Sequence, residues 1–289
     1  MKIDCSKPVF VISDLHIGDG SQKDNLSRNN KEKLLHLFLD YIQNENGELI
    51  IVGDFLELWH YSLDNIISCR RALLDQLSEM NVSYVPGNHD AAAMSIDTNS
   101  ELPHPFFNKT VRPFIRIIGG KRFKFMHGHE IDPFMWRGVE KPIRFFRPLA
   151  QLFTPGSECI YLSQDVIADA FLELGECLWI LKKWAENRLS KAVEQCCSVV
   201  PNNKLASLKR GIRTYNILKR HNEDRARGFY DISVAGHTHK AGKFGDWYYN
   251  SGSWTGRTNN FLRISPDGSV ELSDWDKDGP KIRTNALTR

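Results

Sequence analysis

No two cysteines of this 289-residue chain form a Cys-x-x-Cys pair: Cys5, Cys69, Cys159 and Cys177 are scattered, and Cys196 and Cys197 are adjacent. That spacing excludes a zinc knuckle and offers no disulfide framework, so reduced thiols in a reducing compartment are expected. No run of about 18 apolar residues occurs, so no membrane-spanning helix is expected. The Met1-Lys2-Ile3-Asp4 start has no apolar stretch ahead of Cys5, which argues against a signal peptide and a lipidated cysteine. A cytoplasmic protein is the expectation. The chain also lacks internal repeats, low-complexity segments and any strong charge imbalance, its net charge being +3. Without a basic stripe, nucleic acid is not an expected partner.

What is present is an ordinary globular composition, 41% hydrophobic and 25% charged, in a length that allows one large domain with an insertion. Residues 8–13 read as a short buried strand. Lys31 to Asn46 carries Leu34, Leu35, Leu37, Phe38, Tyr41 and Ile42 at helical spacing, and Gly47 ends that helix. Leu49-Ile50-Ile51-Val52 is a continuous apolar run, hence a strand covered on both faces. Asp64 to Met80 predicts one further amphipathic helix, and 82–85 a third strand. This alternation is that of right-handed β-α-β units around a parallel sheet.

From about Arg112 the period shortens. Residues 113–118 and 121–126 flank Gly119-Gly120, a hairpin signal. Residues 231–235, 246–250, 261–264 and 269–273 are further short strands. Two packed sheets with helices outside are therefore expected, formed by 1–132 and 230–275. Residues 133–229 contain no convincing strand and read as a helical cap, with a long amphipathic pattern over 164–195 and a further helix over 204–221. Residues 276–289 read as a loosely ordered tail.

Residues suited to chemistry follow the strands. Asp14-x-His16 comes after the first, Gly53-Asp54 after the second and Gly87-Asn88-His89-Asp90 after the third. His127, in Met126-His127-Gly128-His129, follows the hairpin, and Gly236-His237-Thr238-His239 follows the strand at 231–235. The carboxyl ends of strands in open α/β sheets share a crevice, so these loops can converge. They supply two carboxylates, an amide oxygen and several imidazoles, a donor mixture suited to Mn²⁺, Fe or Zn²⁺ rather than to calcium or a thiolate site. Any one motif is commonplace; five in order, each directly after an apolar strand, point to a metal site. His36, His60, His104 and His221 have no motif around them and read as surface or structural.

Taken together, these motifs resemble the signature of the calcineurin-like metallophosphoesterases, over the whole chain apart from the insertion. The resemblance implies a four-layer α/β/β/α sandwich, and one metal held by Asp14, His16, Asp54 and His239. It implies a second held by Asp54, Asn88, His127 and His237, with Asp54 bridging, manganese being the first expectation for both. Two such cations share a water whose pKa falls toward about 7, placing a hydroxide for in-line attack on a phosphate ester or anhydride. His89, next to Asn88, is expected to act as general acid or to stabilise the transition state. Asp90 has two readings, as the residue that orients His89 and as a helix N-cap.

Ser13-Asp14-Leu15-His16-Ile17-Gly18, Gly53 through Trp59, Met126-His127-Gly128 and Asn250-Ser251-Gly252-Ser253-Trp254 are similar to the UDP-2,3-diacylglucosamine hydrolase branch, whose enzymes cleave a pyrophosphate in a lipid A precursor beneath a helical cap. The chain departs from that branch at His89, where those enzymes usually carry Arg, and at His129, usually Asp. A UDP-linked or lipid-linked phosphate is the substrate the resemblance implies, with nucleotides or other small phosphoesters, and a catalytically silent scaffold, as alternatives. The insertion holds 16 Lys or Arg against 10 Asp or Glu, leaving the remainder of the chain at −3. Its early part interleaves aromatic and basic residues, among them Trp136, Arg137, Arg144 and Phe145. Such a face can meet an anionic lipid surface, at the inner face of a membrane, or simply pack its apolar side on the core. His129, Arg137, Arg144 and Trp254 are the candidate substrate contacts.

Overall fold

The computed structural model describes residues 6–28, 30–95, 103–132 and 215–283. The chain divides into two compact units, Met1–Ile131 with Arg220–Arg289, and Asp132–Lys219. The helical pattern at 164–195, Arg137 and Arg144 lie outside the described residues.

The unit of Met1–Ile131 and Arg220–Arg289 is built on two sheets. The first has the strand order β11-β10-β9-β1-β2-β3, from β1 (Val9–Ile12), β2 (Glu48–Val52), β3 (Val82–Val85), β9 (Asn260–Ile264), β10 (Val270–Asp276) and β11 (Gly279–Ile282). β1, β2 and β3 are parallel, and β9 joins β1 antiparallel in the register Phe10 to Arg263. The second sheet has the order β4-β5-β6-β8-β7, from the hairpin β4 (Phe114–Ile118) and β5 (Lys121–Phe125), then β6 (Ile232–Ala235), β7 (Gly242–Phe244) and β8 (Tyr248–Asn250). β5, β6 and β8 are parallel to one another.

Strand alternation divides the apolar residues between two cores. Val9, Val11, Ile50, Val52, Leu262 and Ile264 face the other sheet and meet Phe123, Phe125, Ile232, Val234 and Tyr249. Phe10, Ile12, Leu49, Ile51 and Tyr84 face the opposite way, onto α1 (Lys31–Asn44), α2 (Leu63–Cys69) and α3 (Arg71–Glu79). This explains why β1 and β2 read as continuous apolar runs. A helix over 215–226, α4, brings His221 against Ser233 and Tyr230 on the far face of the second sheet, so the layering is helix, sheet, sheet, helix.

Three expectations are corrected here. The single helix expected over 64–80 is two helices broken at Arg70 (φ −107°, ψ 22°). At the break the Arg70 guanidinium is buried and bonds the Asp24 and Glu32 carboxylates and Ser27 Oγ (2.6 Å). The expected tail from 276 contains β11, which pairs with β10 through a turn at Asp276–Gly279.

Trp254, expected at the substrate, is fully buried instead. Its indole packs on Phe38, with ring centroids 5.3 Å apart, and its Nε1–H donates to Asn260 O at 2.9 Å. An aromatic ring with its polar handle satisfied inside the core is a packing residue. Trp254→Ala should therefore cost about 3–5 kcal/mol of stability, measured by denaturant unfolding. A loss under about 1 kcal/mol would show that the side chain is not part of the core.

Candidate metal centre

The parallel strands of both sheets deliver their carboxyl ends to one rim. Asp14 and His16 follow β1, Asp54 follows β2, Asn88 and His89 follow β3, His127 follows β5, and His237 and His239 follow β6. The loops are locked to each other by backbone bonds: Asp14 N–H to Gly53 O (3.0 Å), and Leu15 and His16 N–H to Asp54 O (2.9 and 3.0 Å).

These loops carry unusual backbone. Seven non-glycine residues have positive φ among the described residues, and five of them are Asp14 (53°), His16 (49°), Asp54 (49°), His237 (69°) and His239 (54°). The other two are asparagines, which tolerate the left-handed region. Each such residue costs of order 1 kcal/mol or more and persists only where its surroundings over-determine it. Gly53 is obligatory for a related reason. At φ +92° a Cβ there would lie 2.1 Å from His127 Nδ1.

The side chains then meet. His239 Nε2 lies 3.0 Å from Asp14 Oδ1 and 3.3 Å from His16 Nε2. Asp54 Oδ2 lies between two imidazoles, 3.1 Å from His127 Nε2 and 3.9 Å from His16 Nε2. Asn88 Oδ1 is 3.2 Å from His127 Nε2, and the His237 ring is 5.2 Å from that of His127. Asp14, Asp54 and His127 offer donor atoms all within 4.8 Å of one another, as do Asp14, His16 and His239.

Ring tautomers follow from the outer contacts. His127 Nδ1 must carry its proton to bond Val52 O (2.8 Å), which turns Nε2 toward the Asp54 carboxylate, 3.1 Å away. His16 Nδ1 likewise bonds Glu57 Oε2 (2.8 Å), turning its Nε2 lone pair toward His239. Burial opposes charge on Asp14 and Asp54. Even so, His239 beside Asp14, and His127, His89 and His16 around Asp54, hold both carboxyls below their ordinary range. Burial also opposes a charge on His127, yet Asp54 and Asp14 push it up to about 10. Such a site favours positive charge beside Asp54, and a metal ion bound there would displace the His127 Nε2 proton. The donor set of carboxylate oxygens, an amide oxygen and imidazole Nε2 lone pairs fits divalent cations.

Over residues 7–241 the chain matches the calcineurin-like phosphoesterase family. It belongs to that family. The chain is accordingly a metal-dependent phosphoesterase, in agreement with the clustered donors. A search of curated proteins returned no match.

In this phosphoesterase the residue that sequence reasoning missed is Glu57. It is buried, and its Oε2 accepts from His16 Nδ1 (2.8 Å) and His89 Nδ1 (2.7 Å). Its Oε1 accepts from His60 Nδ1 (3.0 Å) and Trp59 N–H (3.2 Å). Burial works against the charge, but His89 and the bonds from His16, His60 and His89 hold the Glu57 carboxyl well below its usual range. Burial likewise disfavours a charged His89, and Glu57 with Asp54 outweighs it and raises its pKa. The Trp59 indole lies flat on the His89 ring, 3.7 Å away. One signal was available in the sequence: an acid inside the apolar run Phe55-Leu56-Glu57-Leu58-Trp59 requires partners if buried.

Asp90 does not orient His89, as one reading of the sequence had it. Its carboxylate accepts from Phe55 N–H (2.7 Å), Leu56 N–H (3.0 Å), Gly87 N–H (2.5 Å) and Tyr84 O–H. Those donors lie before it in the chain, so it braces the Asp54 loop rather than capping the turn that follows. Burial and the Asp54 charge raise its pKa. His129 stands at the edge of the cluster, one quarter exposed, its ring 5.4 Å from His127 and 6.4 Å from His237. Burial pushes it down to about 4, so it is neutral at neutral pH.

Glu57→Gln keeps the side-chain volume and removes the anion that the His16, His89 and His60 imidazoles share. Turnover should fall about 10–100-fold with the fold intact, read as kcat beside metal content and a melting curve. An unchanged kcat would take Glu57 out of the machinery.

Proposed function

We propose that the phosphoesterase holds one cation with Asp14, His16, Asp54 and His239, and a second with Asp54, Asn88, His127 and His237. The observation that carries this is the place of the Asp54 carboxylate, whose Oδ2 faces His127 Nε2 on one side and His16 Nε2 on the other. Manganese is the metal we favour, from the mixed oxygen and nitrogen donors. A bound pair of divalent cations would supply polarisation of a phosphoryl oxygen and activation of water.

The protein's own groups divide the remaining work. The Asp14 and Asp54 carboxylates stay ionised within the imidazole cluster, keeping the pocket anionic enough for cations. Glu57 fixes the His89 ring through Nδ1, which leaves Nε2 for the proton chemistry of the leaving oxygen. To His129 we assign a substrate contact, supported by its neutral ring and its partly exposed position at the edge of the cluster.

The substrate we propose is a phosphodiester or pyrophosphate on a UDP-linked or lipid-linked molecule. What supports it is the likeness of residues 13–18, 53–59 and 250–254 to the UDP-2,3-diacylglucosamine hydrolases. The aromatic and basic residues of the insertion, with Arg137 and Arg144 among them, add support for contact with an anionic lipid surface.

His89→Ala should lower kcat by about two orders of magnitude with metal content retained; a variant turning over at the parent rate would leave His89 no part in the chemistry. Asp54→Asn should lose both metal and activity. Elemental analysis finding its full metal complement would contradict the bridging position. On a manganese-supplemented panel of UDP-sugars, acylated UDP-sugars, phospholipids and cyclic nucleotides, acylated UDP-sugars should be hydrolysed fastest. A preference for cyclic nucleotides would replace the substrate assignment and keep the metal site.

A further inference from the structure

β8 reaches the same rim as β6, to which it is parallel, but carries none of the proposed ligands. Its last residue, Asn250, pairs with Ala235 at the end of β6, and its side chain continues to the loop beyond. Asn250 Nδ2 donates to Gly236 O at 2.6 Å and lies 3.2 Å from Thr238 Oγ1 and from Tyr248 Oη. Oδ1 accepts from Gly252 N–H at 2.9 Å, so a donor on one side and an acceptor on the other leave one orientation of the amide. The carbonyl and hydroxyl it holds flank His237, and both His237 and His239 are left-handed.

The next residues tie this loop to the one after β1. Ser251 N–H donates to Ala235 O (2.9 Å), and Ser251 Oγ lies 2.7 Å from Ser13 Oγ. Ser13 Oγ–H reaches Gly252 O at 3.0 Å, and Trp254 N–H donates to Asp14 O at 3.1 Å. The two loops touch directly as well, His237 N–H donating to the Asp14 carboxylate at 3.0 Å. The approach is so close that a Cβ on Gly236 would fall 2.4 Å from both Asp14 Oδ2 and Ser13 Oγ.

We infer that Asn250 and Ser251 form a clamp that positions the Asp14 and His237–His239 loops for metal binding. They are positioning residues, touching neither cation nor substrate. The physical need is the strain: two left-handed histidines in one short loop would relax if Gly236 O and Thr238 Oγ1 were released. The clamp rests on the proposed ligand set, since it acts through Asp14, His237 and His239.

The test is manganese titration of the full chain by calorimetry, with the melting temperature and the electron paramagnetic resonance spectrum as companion measurements. Asn250→Asp keeps the acceptor for Gly252 and removes the donor to Gly236. It should bind manganese about 10–100-fold more weakly while still folded, with a melting temperature below that of the parent because the new carboxylate is buried against Gly236 O. The spectrum should change from that of a coupled manganese pair toward isolated ions. Parent-like affinity in Asn250→Asp overturns the clamp and leaves the proposed function standing. Failure of the parent chain to bind manganese overturns that function, and the clamp with it. If Asn250→Asp does not fold, Ser251→Ala decides: it removes the link to Ser13 and should weaken binding about tenfold, and parent-like affinity there overturns the clamp equally.

Discussion

Two carboxylates, Asp14 and Asp54, are taken almost wholly out of water and kept ionised, and the rest of the site is arranged around them. Isolated buried charges are too costly to persist, so cationic or polarisable partners must stand close. Here the partners are imidazoles from four different loops, and the His16 and His127 rings are turned by outer contacts with Glu57 and Val52 O. The same field that draws protons to His127 suits the divalent cations on which hydrolysis in this family depends.

The site spreads its demands over acids of different kinds. Asp14 and Asp54 face the imidazole Nε2 atoms, Glu57 faces the Nδ1 atoms behind them, and Asp90 faces backbone amides. Glu57 and Asp90 are both fully committed acceptors, but only Glu57 touches His16 and His89. The difference is one of reach. Glu57 lies three residues beyond Asp54 in a loop that passes under the histidines, whereas Asp90 is directed back beneath that loop, where Phe55, Leu56 and Gly87 offer free N–H groups.

The left-handed residues show how the backbone is recruited. Placing two polar side chains two positions apart on one face of a tight loop requires a sharp turn at each, and Asp14-Leu15-His16 and His237-Thr238-His239 both adopt it. Such strain is held by neighbours, above all by the close abutment of the two loops through His237 N–H and the Asp14 carboxylate. A shift of one loop is therefore felt by both.

Much of this was readable from the chain alone. Apolar runs located β1, β2 and β3, and the residue types directly after them located Asp14, His16, Asp54, Asn88 and His89, because a strand must end where polar groups begin. Local pattern could not say that β9, β10 and β11 would close onto β1 instead of extending the second sheet, since strand partners are chosen by which faces remain uncovered. Nor could it separate Glu57 from Asp90, place Trp254 in the core or break a helix at Arg70. Each of these depends on which groups, distant in sequence, are left needing a partner once the sheets have packed.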